Sequence, residues 1–108
     1  MFARILEFAV KPEKKAEFIK VLKNEVLPIL KKQVGFLEIL PFFPEKTDET
    51  IALNISIWAT KADAERYQKE TYARVYEILR PFLITPVTTK VLVLETTLCE
   101  HFVESFAA

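Results

Sequence analysis

The chain has 108 residues, which fits a single domain. A hydrophobic share of 51% and a charged share of 28% exclude a disordered chain and a membrane protein, and 15 basic against 15 acidic side chains leave no nucleic-acid footprint. One glycine (Gly35), one histidine (His101), one cysteine (Cys99) and two serines (Ser56, Ser105) exclude a phosphate-cradling glycine loop, a dinucleotide fingerprint, an intrachain disulfide, the usual zinc sites and a nucleophile elbow.

Residues 2 to 10 read as a strand with apolar side chains at both parities, interrupted by Arg4 and Glu7. This run is too charged for a signal peptide or a membrane span. The expected setting is reduced and cytoplasmic, with Cys99 a buried or idle thiol. Pro12 suits the first position of a helix. From Ala16 to about Lys32, residues Ala16, Ile19, Leu22, Val26, Ile29 and Leu30 form its apolar stripe. Pro28 should kink this helix, because its ring collides with the Asn24 carbonyl. Gly35 ends it.

Phe36 to Phe43 is a second strand, and Pro41 makes it an edge strand or marks a bulge. Residues 45 to 49 are a polar hairpin loop. Thr50 to Trp58 is the clearest strand. Ile51, Leu53, Ile55 and Ile57 alternate with Thr50, Ala52, Asn54, Ser56 and Trp58. Thr60 caps a second helix that runs to about Leu79. Its expected inward stripe is Ala64, Gln68, Thr71, Tyr72, Val75 and Leu79, with Tyr67 and Tyr76 at the edges. Thr88 to Glu95 is the fourth strand. The tail from Thr96 carries Leu98, Phe102, Val103 and Phe106, an arm that would pack on a neighbour.

The order βαββαβ with right-handed crossovers is the α+β, ferredoxin-like arrangement: a four-stranded antiparallel sheet with both helices on one face. The uncovered face should then be polar. Instead Leu37, Ile39 and Phe43 occupy one parity of the second strand, and Phe36, Leu40 and Phe42 the other. The expected remedy is a homodimer packed sheet to sheet; the alternative is a tail folded over that face. The aliphatic set of the third strand suits such a dry contact. Asn54, Ser56 and Trp58 would then face Gln68 and Tyr72 beneath the helices, in a partly apolar small-molecule site. The opposite assignment would carry them into the intersubunit barrel.

The chain resembles the antibiotic biosynthesis monooxygenase superfamily of dimeric α/β barrels. The resemblance rests on residues 27 to 30, Gly35-Phe36, the stretch Asn54-Ile55-Ser56-Ile57-Trp58, residues 61 to 67 and the strand after Thr85-Pro86. It spans the chain to about residue 95. It implies a cofactor-independent monooxygenase, needing neither flavin nor metal, for a phenol, anthrone or quinol-like aromatic molecule. In that chemistry the substrate anion gives an electron to dioxygen. Asn54 and Trp58, four residues apart, match the pattern and are the implied catalytic pair, with Ser56, Gln68 and Tyr72 as substrate-binding candidates. Asn54 would donate to a developing oxyanion, and Trp58 would stack on a ring or donate through its indole. Arg4, Arg74 and Arg80 are further anion stabilisers that the sequence does not rank. The haem-degrading branch implies a His on the second helix and an Asn on the first strand. Both are missing here, so haem chemistry is not expected.

Blander readings stand beside these. Trp58 suits a core position, Asn54 is satisfied by backbone or Ser56, the tyrosines are packing residues, and Arg4 and Glu7 are cross-strand partners. Two other functions share the fold: a non-catalytic dimeric module, and an isomerase for which Glu7 is the obvious carboxylate.

Overall fold

The computed structural model describes residues 1–46, 48–95 and 97. Cys99, His101 and the apolar tail residues from Leu98 onward lie outside them. β1 (Phe2–Ala9) leads through a 3-10 turn (Pro12–Lys14) into α1 (Lys15–Val21), a π turn (Leu22–Val26) and α2 (Leu27–Lys31). Then come β2 (Phe36–Phe42), β3 (Ile51–Trp58), α3 (Lys61–Glu70), α4 (Tyr72–Leu79), a 3-10 turn (Arg80–Phe82) and β4 (Thr88–Val93). The four strands form one antiparallel sheet in the order β2-β3-β1-β4. This is the ferredoxin-like α+β fold.

Pairing sets the faces. Phe2, Arg4, Leu6 and Phe8 lie opposite Trp58, Ser56, Asn54 and Ala52. Those four β3 residues are buried, while Leu53, Ile55 and Ile57 are half-buried and Ile51 is exposed. The mixed set of β3 therefore faces the helices and the aliphatic set faces outward. Arg4 and Glu7 point to opposite faces, so they are not partners: Arg4 is buried under the helices and Glu7 is exposed.

Four local expectations change. In the first helix the irregularity expected at Pro28 falls just ahead of it. The π turn ahead of it, closed by the Leu27 N–H on the Leu22 carbonyl, takes up the residue whose hydrogen bond proline cannot make. Phe18 is the inward side chain of α1, while Ala16 and Ile19 are exposed. In β2 the register shifts between Phe36 and Glu38, which returns Phe36 to the face of Ile39 and breaks strict parity. The second helix is broken at Thr71 (φ −127°, ψ −32°), whose hydroxyl donates to Gln33 Oε1 at 3.1 Å.

The core has two aromatic ends. Phe18 packs on Phe8, Phe43 and Phe82 with ring centroids 5.7, 6.0 and 5.7 Å away. At the other end Trp58 stacks on Tyr67 at 4.9 Å and meets Phe36 edge-on. Gly35 joins this end to α3. It accepts the Ala59 N–H at 2.8 Å and lies against Asp63, which also makes the Thr60 capping bonds. Thr60 first, then Arg66, holds the Asp63 carboxyl below its ordinary value.

Gly35 has φ +82°, and a Cβ there would overlap the Asp63 side chain. Gly35→Ala should therefore cost about 2–3 kcal/mol, from a left-handed backbone plus a displaced cap. Urea unfolding measures it. A loss within experimental error would mean the turn relaxes freely.

Candidate functional site

β1 and β3 present a short polar row to the helices. Arg4 pairs with Ser56, and Asn54 sits one pair along, opposite Leu6. Arg4 is only 2% exposed. Its Nη2 donates to Gln68 Oε1. Its guanidinium carbon lies 5.0 Å from the Tyr67 ring centre and 4.9 Å from that of Tyr72. Among the described residues no carboxylate reaches it; the three ion pairs are all elsewhere. Burial lowers the Arg4 pKa, but the group starts so high that it stays charged. A desolvated cation held by ring faces and neutral acceptors alone is unusual, because buried charges are normally paired.

The sequence-derived candidates divide. Trp58 is fully buried, and its indole N–H donates to Ser56 Oγ at 2.9 Å. Those two residues satisfy one another. Asn54 is 6% exposed, and its Oδ1 is the one buried side-chain polar atom without a partner among the described residues. Neither backbone nor Ser56 satisfies it. Tyr72 is half-buried and flanks Arg4. Gln68 is exposed and reaches Arg4 through its amide oxygen; Tyr67, expected at a stripe edge, is the buried residue of that turn.

A cleft of about 240 Å³ opens between α3 and β4. Arg4 and Gln68 line it with Ala64, Glu65, Thr89 and Val91. Asn54, Ser56, Trp58 and Tyr72 are not among its lining residues. Leu6 separates Asn54 from Thr89 along the sheet. Arg4 is thus the residue that sequence reasoning undervalued. Its signal was parity: it shares a face with Leu6 and Phe8. Arg74 and Arg80 are exposed, and Arg80 pairs with Glu77. Among the described residues no group of three or more His, Cys, Asp or Glu gathers, and no helix is long and apolar enough to cross a membrane.

Desolvation pushes the Tyr67 hydroxyl up to about 12 and raises that of Tyr72, in each case outweighing the opposing Arg4 cation. Both phenols stay protonated in the neutral range. They serve as ring faces for Arg4, not as bases. From pH 10 to about 12 an unfolded chain has released the Tyr67 proton that the folded chain keeps. Stability should therefore fall as pH rises through that window, with no contribution from Tyr67 below it. Urea midpoints between pH 9 and 12 should drop more steeply for the wild type than for Tyr67→Phe. Equal slopes would remove Tyr67 as the cause.

Known proteins share this architecture. The cofactor-independent oxygenase SnoaB of Streptomyces nogalater superposes with a TM-score of 0.72 at 19% identity, over 92% of this chain and 97% of that one. A monooxygenase from the ActVA-Orf6 gene of Streptomyces coelicolor, crystallised with nanaomycin D, gives 0.69 at 20% identity, over 87% of each chain. A candidate antibiotic biosynthesis monooxygenase from Caulobacter crescentus CB15 gives 0.70 at 18% identity, over 87% of this chain and 90% of that one. Comparison with curated proteins finds no match. The family model for antibiotic biosynthesis monooxygenases matches residues 1–77, and the chain belongs to that family.

Proposed function

We propose that this protein is a cofactor-independent monooxygenase for a phenol, anthrone or quinol-like aromatic molecule, working as a homodimer. The observation that carries the reading is the buried, unpartnered Asn54 Oδ1 on the helix-facing side of β3. An orphaned amide oxygen lowers stability, because its desolvation is not repaid by a bond. A substrate hydroxyl donating to it would repay that loss. Rotation of the same amide presents its N–H₂ group once the hydroxyl has become an oxyanion. The printed descriptions of the two Streptomyces proteins support oxygenation as the reaction class.

The chemistry balances without an outside reductant. The substrate loses a proton to solvent. Its anion passes one electron to dioxygen, and the radical pair joins to form a carbon–oxygen bond. The peroxide takes a proton back from solvent. Its O–O bond then breaks as the same carbon loses its remaining hydrogen, leaving a carbonyl with one oxygen atom and releasing the other as water. Asn54 would hold the anion, and its burial beneath the helices would exclude water. Trp58 acts here through packing, since its N–H already has Ser56.

Asn54→Leu keeps the volume and removes the amide. Oxygen uptake with an anthrone or hydroquinone should fall by roughly 10²–10³-fold. Because an orphaned polar atom disappears, the melting temperature should hold or rise. An unchanged rate would end the assignment of Asn54 to catalysis.

One observation favours a second reading, a non-catalytic dimeric module: Trp58 and Ser56 are closed on each other, and Asn54 does not line the cleft. Absence of oxygen uptake across phenols, anthrones and hydroquinones would decide for it. An isomerase loses its carboxylate, because Glu7 is exposed on the opposite face of the sheet.

The homodimer is supported by that opposite face. Ile5, Leu40, Phe42, Leu53, Ile55, Ile57 and Leu92 occupy it, with Glu7, Glu38 and Lys90 its charged members. A second copy packed sheet to sheet would cover it. Light scattering should give twice the 12.5 kDa of one chain. Ile55→Lys, which sets a charge in the middle of the face, should shift the mass to that of a monomer. A wild-type monomer would overturn the dimer.

A further inference from the structure

We propose that the Arg4 cleft is a carboxylate-binding subsite, so that the ligand of this protein is a small aromatic carboxylate. The inference extends the oxygenase reading to a substrate class and has its own test. Three observations carry it. Arg4 is a buried cation with no carboxylate partner among the described residues. Its known partners, the Gln68 amide oxygen and the faces of Tyr67 and Tyr72, are all neutral and supply no counter-charge. It also lines a cleft that a ligand can enter. The planar guanidinium fork matches a carboxylate with two parallel N–H···O bonds, which are strongest where water is excluded.

The surroundings narrow the ligand further. At about 240 Å³ the cleft is smaller than the usual range for drug-sized ligands and suits one ring, or two at most. Ala64, Val91 and the Thr89 side chain supply walls for an aromatic ring. Glu65 also lines the cleft, and it is the one acidic residue there. It is exposed and lies 3.7 Å from Lys61, one turn back on α3, which offsets its charge at the mouth. Asn54 shares the helix-facing side with Arg4 but does not line the cleft.

The test compares two ligands on the intact protein by calorimetry: 2,5-dihydroxybenzoate and the neutral 2,5-dihydroxybenzamide. They differ in charge and little in shape. The acid should bind about ten-fold tighter or more, as expected for a charge-assisted pair. Arg4→Met should abolish the preference, and Arg4→Lys, which keeps the charge without the fork, should retain part of it. Circular dichroism checks that the variants fold. If Arg4→Met does not fold, the wild-type ratio alone decides. Equal affinities, or no binding of either ligand at millimolar concentration, overturn the subsite. Oxygen uptake is scored separately. Selective carboxylate binding without oxygen uptake leaves the subsite standing and removes the oxygenase. Oxygen uptake from neutral substrates with no carboxylate preference does the reverse.

Discussion

A charge without a counter-charge organises the functional half of this protein. Arg4 lies in β1, an interior strand, where an unpaired cation would cost several kcal/mol if nothing compensated it. The compensation comes from α3 and α4. Tyr67 and Tyr72 turn their rings toward the guanidinium, and Gln68 supplies an oxygen. The same rings continue the aromatic contacts that run from Phe36 through Trp58 to Tyr76. The cation is therefore fixed by the packing that holds the second helical segment on the sheet. Mobility at Arg4 would require Tyr67 to leave Trp58.

That arrangement depends on the break at Thr71. Tyr67 and Tyr72 are five residues apart, so on an uninterrupted helix their side chains would diverge by about 140°. They could not both face one guanidinium. The break re-aims α4, and their ring centres come within 6.2 Å. Thr71 is held in its non-helical conformation by Gln33, whose own amide N–H₂ donates to the Ile29 carbonyl in α2. The first helical segment thus takes part in shaping the site. The π turn before Pro28 accommodates the proline within that segment, whose Val26, Ile29 and Leu30 are buried.

These features explain what the sequence could and could not disclose. The strict alternation of β3 was legible, and with it the face that Asn54, Ser56 and Trp58 share. Element order, the Thr60 cap and the Gly35 turn were legible too, because each has a local signature. The Thr71 break had none: a threonine inside a helical pattern looks tolerable until Gln33 is known to sit beside it. Projecting residues 64 to 79 on one continuous helix put Gln68 in the inward stripe and Tyr67 at its edge, whereas Tyr67 is buried and Gln68 is exposed. The β2 shift at Leu37 is likewise a matter of pairing with Trp58 and Ile57, which periodicity within β2 alone does not contain. Arg4 was visible as a charge in an apolar strand, but its isolation from carboxylates is a property of the fold.

The two faces of the sheet divide the work. Beneath the helices lie nearly all of the sheet's chemical groups: the guanidinium, the orphaned amide, the indole and its serine. On the other side lie aliphatic side chains with few charges. A period of two forces this separation, since a one-residue slip in β3 would exchange Asn54 and Ser56 for Ile55 and Ile57. Such a slip would bury four aliphatic residues under the helices and leave Arg4 opposite an isoleucine. Register in β3 is therefore held on the helix-facing side, by Trp58 against Tyr67. The site can vary in its polar groups without disturbing the outer face, because the two sets of side chains never share a layer.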